Sequence, residues 1–412
     1  MKVRIEHASN PLNYGTNMMV INFMYYLDKE MKSKNTYLLD VINDTDLNNY
    51  KKQYQDGNIK KHFIDYDFTY ANSFIDRLIN KLKRDIFNEV ATDRLLTKVK
   101  SEIDKLIILG GDDLSEYYSI DLLKKEFNRL DSIKKESQII LVGQTIGPFY
   151  EDRVDLAKKC LKGIDIYSRD PWTTRYLQDG LGLNEVYNSA DLAFLPLPNQ
   201  DNKSIEEAIL NKYSLEKDKY ITLVPSGLYK SYCSDKSKYV ENWVNIIKYI
   251  RSKYKENKIV LLPHVLRSDN DDRVIIKEIE KILSKDEKIV YIYDEVQPLN
   301  ARFILGNGLL TITGRMHGAI STLQMRKPAI SISYSVKYNG VIGEGLGLKN
   351  FIVKGDSTEL WIDNTVSNSV IDKIDYVTNN YELVLKHINT NLKNTEQKSL
   401  KMIKNIAENF LV

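Results

Sequence analysis

The chain has 412 residues, with 59 Lys and Arg against 56 Asp and Glu, and the resulting net charge of +3 is too balanced for a protein that lives on nucleic acid. Hydrophobic residues at 42% and charged residues at 28% exclude wholesale disorder, and at roughly 150 residues per domain the length fits two or three domains. Cys160 and Cys233 are too few for a disulfide scaffold or a cysteine-based zinc module, and they fit a reducing compartment. The N-terminus lacks the apolar core of a signal peptide, and no run of about 18 apolar residues suggests a membrane span, so the expected location is cytoplasmic.

In chain order, KVRIE reads as a strand, HASNPLNYGTN as a loop, and MMVINFMYYLDKEM as a helix with apolar residues at helical spacing. TYLLDVI is a second strand, and the polar stretch 44–100 carries only weak helical patterns such as FIDRLINKLKRDIF. KLIILGGD is a continuous apolar run closed by glycines, the pattern of a parallel strand covered on both faces. QIILVGQ and IDIYSR follow, each leading into a helical segment, DRVDLAKKCLKG and WTTRYLQDG. A proline-rich polar linker, LPLPNQDNKSIEEA, then separates a second series of strands: YITLVPSG, KIVLLPH, KIVYIYDE, GLLTITGR and PAISISYS. Between these lie the helical patterns YVENWVNIIKYIRSKY and DRVIIKEIEKIL. This alternation predicts an α/β protein of two Rossmann-like doubly wound domains facing across a cleft. The expected domains are 1–198 and 199–366, and a helical tail over 367–412 could pack back on the first.

The chemistry-bearing residues collect just after the strands, where open parallel sheets bind ligands. TGRMHGA follows the strand LLTIT and opens a helix, so Arg315 and His317, flanked by Gly314 and Gly318, stand beside helix amides that lack intrahelical partners. A cation, an imidazole and free amides together suit a small dianion. Arg169 ends another strand, ahead of Asp170 and Pro171, which read as N-cap and first helical residue. For Arg169 a structural ion pair is about as good a reading as a functional one. His264 in LLPH also lies past a strand, and the carboxylates of DNDD after it read as a solvated helix start. They lack the Gly and distal Glu of a calcium loop, and no metal site is expected. His7 closes the first strand and reads as a hydrogen-bonded structural histidine.

The ordered series NYGTN, LGGDDL, GQTIGPFY, YSRDPWTTRYLQDGLG, SADLAFLP, LLPH and ITGRMHGAISTLQMRKPAISISYSVKYNG resembles the polysaccharide pyruvyl transferase family, from about Asn13 to about Leu348. The resemblance implies a fold similar to GT-B glycosyltransferases. The implied activity uses phosphoenolpyruvate to place a pyruvyl ketal on a sugar of a cell-envelope or capsular polysaccharide precursor, with no cofactor or metal. By motif, Arg315, Met316 and His317 match the family's Arg-Leu-His donor segment, and Arg169 matches its second donor arginine. His317 is the implied proton donor, with Lys337 a further donor-binding candidate. Asn13, Gly15, Asn17, Gly110, Gly111, Asp112 and His264 are candidates for the acceptor side or cleft.

Many family members read Asn-x-Gly-Asp in the first loop, where this chain has Thr16 and Asn17. That departure keeps open a GT-B glycosyltransferase that uses a nucleotide-sugar donor. The implied partner is a sugar or lipid-linked oligosaccharide acceptor. Basic segments such as Arg77 to Phe87 leave peripheral contact with the inner membrane face open, although a solvated or core-facing helix is the preferred reading.

Overall fold

A computed structural model describes residues 1–62, 105–117, 119–135, 137–266, 270–283 and 285–411. The basic segment Arg77 to Phe87 lies outside the described residues. Two parallel sheets organise the chain. The first runs in the order β3 (Asn58–Lys61), β2 (Thr36–Leu39), β1 (Lys2–Glu6), β4 (Lys105–Leu109), β5 (Gln138–Gln144), β6 (Asp165–Ser168), β7 (Val186–Asn188). The second runs β10 (Ile289–Tyr291), β9 (Lys258–Leu261), β8 (Tyr220–Val224), β11 (Leu310–Thr313), β12 (Ala329–Ser333), β13 (Ile352–Lys354). In each sheet the strand order reverses once, between β1 and β4 and between β8 and β11. Such a switch point opens a crevice at the carboxyl ends of the strands.

The apolar runs explain the layering. Every residue of β8 and of β12 is buried, as a strand covered by helices on both faces requires. The amphipathic helix Asp272–Ile282 puts Ile275, Ile276 and Ile279 into the second core. The long helix Tyr381–Leu411 crosses back to pack on the helix Tyr14–Met31 of the first domain. There Ser399 donates to the Asp191 carbonyl at 3.3 Å. Among the described residues no helix is long and apolar enough to cross a membrane.

Two expectations change. The helix assigned to start at MMV begins at Tyr14, with Asn13 as its N-cap, so most of the supposed loop NYGTN is the first helical turn. In the polar stretch the structure shows a helix, Asp44–Gln53, and the edge strand β3. The inter-domain linker is held by Arg302, fully buried on the helix Pro298–Asn307. Its guanidinium donates to the carbonyls of Leu195 (2.9 Å) and Ala193 (2.7 Å) and to Gln200 Oε1 (3.0 Å).

Arg302→Ala takes the guanidinium from the Ala193 carbonyl, while Leu195 keeps Asn22 Nδ2 and Gln200 Oε1 keeps the Leu197 amide, and is expected to lower unfolding stability by about 2 kcal/mol in guanidinium titration. A loss under about 1 kcal/mol would mean that the linker is held by other contacts.

Candidate active site

The two switch points face each other across a cleft of about 520 Å³. Its first-domain wall comes from the ends of β1 and β4, and its second-domain wall from the loops after β9, β11 and β12. Of the residues singled out from sequence, Asn13, Gly110, Gly111, Asp112, Arg169, His264, Arg315, Met316, His317 and Lys337 all line this one space.

His317 sits in the first turn of the helix Met316–Gln324. Its Nε2 lies 3.2 Å from Asp191 Oδ2. An ionised carboxylate only accepts, so Nε2 carries the hydrogen and Nδ1 is the atom left to exchange a proton with a ligand. A Cβ on Gly15 would fall 2.2 Å from that Nδ1, so only glycine lets the helix Tyr14–Met31 approach the imidazole this closely. Gly15 therefore shapes the site without lining it.

Arg169 is also committed to protein. Its Nη1 donates to the same Asp191 oxygen at 3.0 Å, its Nε to Thr145 Oγ1 at 2.8 Å, and its Nη2 to the Gly111 carbonyl at 3.0 Å. The structural ion pair weighed for Arg169 is thus present, and its fork is occupied. Asp170 caps the following helix through the Thr173 amide at 2.8 Å, with Pro171 at the first helical position. Burial alone would raise the Asp191 carboxyl, but His317, Arg169 and the Ala193 amide outweigh it and hold the group well below the usual carboxylate range.

Arg315 is anchored by Asp272, whose Oδ1 accepts from Nε at 3.0 Å and Nη2 at 2.7 Å. Its Nη1 is left without a partner among the described residues. The reading of DNDD as a solvated helix start is overturned for Asp272, which is fully buried. It also accepts from the amides of Gly227 (2.6 Å), His264 (2.9 Å) and Val265 (2.9 Å), so one carboxylate ties three loops of the second domain together. Tyr232 and Tyr338 both donate to the Gly314 carbonyl and fix the backbone just before Arg315. Gly314 and Gly318 are scaffold, and Gly318 packs on Thr313.

Lys337 reaches across to Asp112 at 3.1 Å and to the Tyr334 hydroxyl at 2.7 Å. It is the half-buried cation of an inter-domain pair and not a surface lysine. Asn17 does not join the site: it lies inside the helix and donates to the Pro11 carbonyl at 3.0 Å. His264 is buried on the cleft wall with no partner for Nε2 among the described residues. Burial, then the charges of His317, Arg315 and Arg302, pushes it well below the usual imidazole value. Among the described residues no group of three or more His, Cys, Asp or Glu could hold a metal.

Sequence reasoning missed Asp191 and Asp272 as the carboxylates that orient His317 and Arg315. The only sequence signal for Asp191 was its place in SADLAFLP, just past β7.

A family model described as polysaccharide pyruvyl transferase matches residues 13–336. The amylovoran biosynthesis protein AmsJ of Erwinia amylovora is 22% identical over 304 residues, 72% of this chain and 69% of that protein. The UDP-GlcNAc 2-epimerase from Neisseria meningitidis bound to UDP-GlcNAc superposes with a TM-score of 0.63 at 10% identity, covering 99% of this chain and 100% of that one. A putative UDP-N-acetylglucosamine 2-epimerase from Listeria monocytogenes gives 0.60 at 13% identity, covering 94% and 90%. At such identities the likeness speaks for the fold alone, a two-domain Rossmann-like GT-B arrangement.

Asp191→Asn breaks a buried pair with Arg169 and is expected to cost about 3 kcal/mol at neutral pH. Because the folded carboxyl titrates below the unfolded one, this stabilisation is full above about pH 4 and is lost as pH falls through the depressed folded value. The wild type and the variant should therefore converge in stability in acid, and a pH-independent difference in urea midpoints would contradict the assignment. His264 acts at higher pH. Its folded value lies below 6.5, so stability should fall by up to about 1.4 kcal/mol per pH unit as pH drops below that value. The slope should flatten in His264→Gln, and an unchanged slope would place the acid sensitivity elsewhere.

Proposed function

The chain belongs to the polysaccharide pyruvyl transferase family, and from that membership and the charges of the cleft we propose that it moves an enolpyruvyl-derived group from phosphoenolpyruvate to a sugar of a surface polysaccharide precursor. The product is a pyruvyl ketal. The observation that carries this reading is the convergence on one cleft wall of Arg315 and His317, at the start of the helix Met316–Gln324, with Lys337 from the segment after β12.

Phosphoenolpyruvate carries a carboxylate and a phosphate on a three-carbon frame, so it needs clustered donors of fixed geometry. Arg315 offers Nη1 from a guanidinium already oriented by Asp272. The first amides of the helix Met316–Gln324 and its dipole favour a second anionic group. A bound dianion would draw Lys337 away from Asp112 and toward itself. The opposite wall presents Asp112 and Asp113, acceptors suited to sugar hydroxyls. The cleft is thus polarised, with the donor on the second domain and the acceptor on the first.

His317 is placed to protonate the methylene carbon of the donor, which develops positive character at the neighbouring carbon and exposes it to a hydroxyl. Asp191 stabilises the imidazolium before transfer, and no metal or cofactor enters the scheme. The donor is a cytosolic metabolite, which puts the reaction inside the cell, and a lipid-linked acceptor would bring the enzyme to the inner membrane face.

Phosphoenolpyruvate is expected to raise the melting temperature, by an amount that tracks RT ln(1 + [L]/Kd), and uridine diphosphate is not. Arg315→Gln should remove the shift. His317→Ala should keep the shift and lower acceptor-dependent phosphate release by about 10²–10⁴-fold. Stabilisation by uridine diphosphate and not by phosphoenolpyruvate would replace this reading with a nucleotide-sugar transferase.

A further inference from the structure

His7 directly follows β1 with φ 67°, in the left-handed region. The conformation is imposed by its surroundings. Asp40 accepts from the His7 amide at 3.0 Å and from the Ala8 amide at 2.7 Å. The Tyr50 hydroxyl donates to the Ala8 carbonyl at 2.9 Å.

The ring is oriented as well. His7 Nδ1 lies 3.0 Å from the Leu109 carbonyl. A carbonyl oxygen only accepts, so Nδ1 carries the hydrogen and Nε2 keeps its lone pair. The side chain is 33% exposed and lines the same cleft as Arg315, His317 and Lys337, from the opposite wall. Asp113 Oδ2 lies 3.7 Å from Nδ1, on the side where it would stabilise an imidazolium once Nε2 has taken a proton.

We propose that His7 is the general base for the acceptor hydroxyl, an assignment that rests on the phosphoenolpyruvate reading above. Nε2 takes the hydroxyl proton as the sugar oxygen forms its bond to C2 of the donor. The C2–C3 double-bond pair meanwhile takes a proton from His317 and makes a methyl group. The C2–O bond to phosphate then breaks, its electron pair leaving on the phosphate, which receives the proton held by His7. The second sugar hydroxyl closes on C2 and gives its proton to His317. Both imidazoles return to their starting states, and the balance is donor plus diol to ketal plus hydrogen phosphate. Two walls each supplying one imidazole account for a reaction that must take a proton from the attacking hydroxyl while delivering another to C3.

The backbone supplies an unusual test. Glycine fits φ 67° better than histidine, so His7→Gly should fold with a melting temperature no lower than the parent. The probes are phosphoenolpyruvate with the p-nitrophenyl glycosides of glucose, galactose, mannose, N-acetylglucosamine and N-acetylmannosamine. His7→Gly and His7→Gln should keep the phosphoenolpyruvate-induced thermal shift and release phosphate at least about 100-fold more slowly than the parent. Added imidazole should restore part of the turnover in His7→Gly and none in His7→Gln. Full turnover in either variant, with the donor shift intact, would overturn the role of His7; a parent protein that phosphoenolpyruvate does not stabilise would instead count against the donor. A second measurement needs no donor. The chain has five histidines, and ¹⁵N spectra should assign His7, by difference from His7→Gly, as the Nδ1–H tautomer near neutral pH. A protonated Nε2 with a bare Nδ1 would overturn the proposal.

Discussion

Asp191 Oδ2 accepts at once from Arg169 Nη1, at 3.0 Å, and from His317 Nε2, at 3.2 Å, with no exposed side-chain surface on the carboxylate. Arg169 follows β6 in the first sheet and His317 stands on the helix after β11 in the second, so this desolvated charge joins the domains beside the cleft. Removing it would leave a buried guanidinium without its counter-charge, which is why the contact constrains structure and chemistry together. The helix Tyr381–Leu411 reaches the same residue through Ser399, so the chain's last element also braces the site.

From that point the rest of the cleft follows from topology. Each sheet reverses its strand order once, and the loops at the two reversals face each other. The second-domain loops are knotted by Asp272, which orients Arg315 and takes the amides of three other residues. The first-domain loops present carboxylates and His7. A further stitch crosses between the domains where the Tyr14 amide donates to the His264 carbonyl at 3.1 Å and Asn13 pairs with Val265 as an isolated bridge. The result is a cleft with Arg315, Lys337 and helix amides on the second-domain side and the carboxylates of Asp112 and Asp113 on the first-domain side, beside a first-domain arginine, Arg169, already taken up by protein acceptors.

The architecture was legible where the physics is local. Buried parallel strands such as KLIIL and AISIS are near-continuous apolar runs, and the Gly-Arg-Met-His segment announces a strand end and a helix start by its neighbours. Three strands escaped notice, β3, β7 and β13, which have three or four residues each and lie at sheet edges or near them, where no long apolar run is required. The first helix was placed too late because Asn13, a side-chain cap, looks like a loop residue until its bonds to the Gly15 and Thr16 amides are seen. The two orienting carboxylates were invisible for a different reason. Asp191 and His317 are 126 positions apart, and Asp272 and Arg315 are 43 apart. Nothing in an isolated aspartate, even one in a run such as DNDD, signals which distant cation it will meet.

A crystal structure of the protein soaked with phosphoenolpyruvate, with uridine diphosphate soaked in parallel, tests the central claim most directly. The account predicts phosphoenolpyruvate density in the cleft, with one anionic group on Arg315 Nη1, the other at the first amides of the helix Met316–Gln324, and the methylene carbon toward His317. An empty cleft with phosphoenolpyruvate, or uridine diphosphate occupying those contacts in its place, would contradict it.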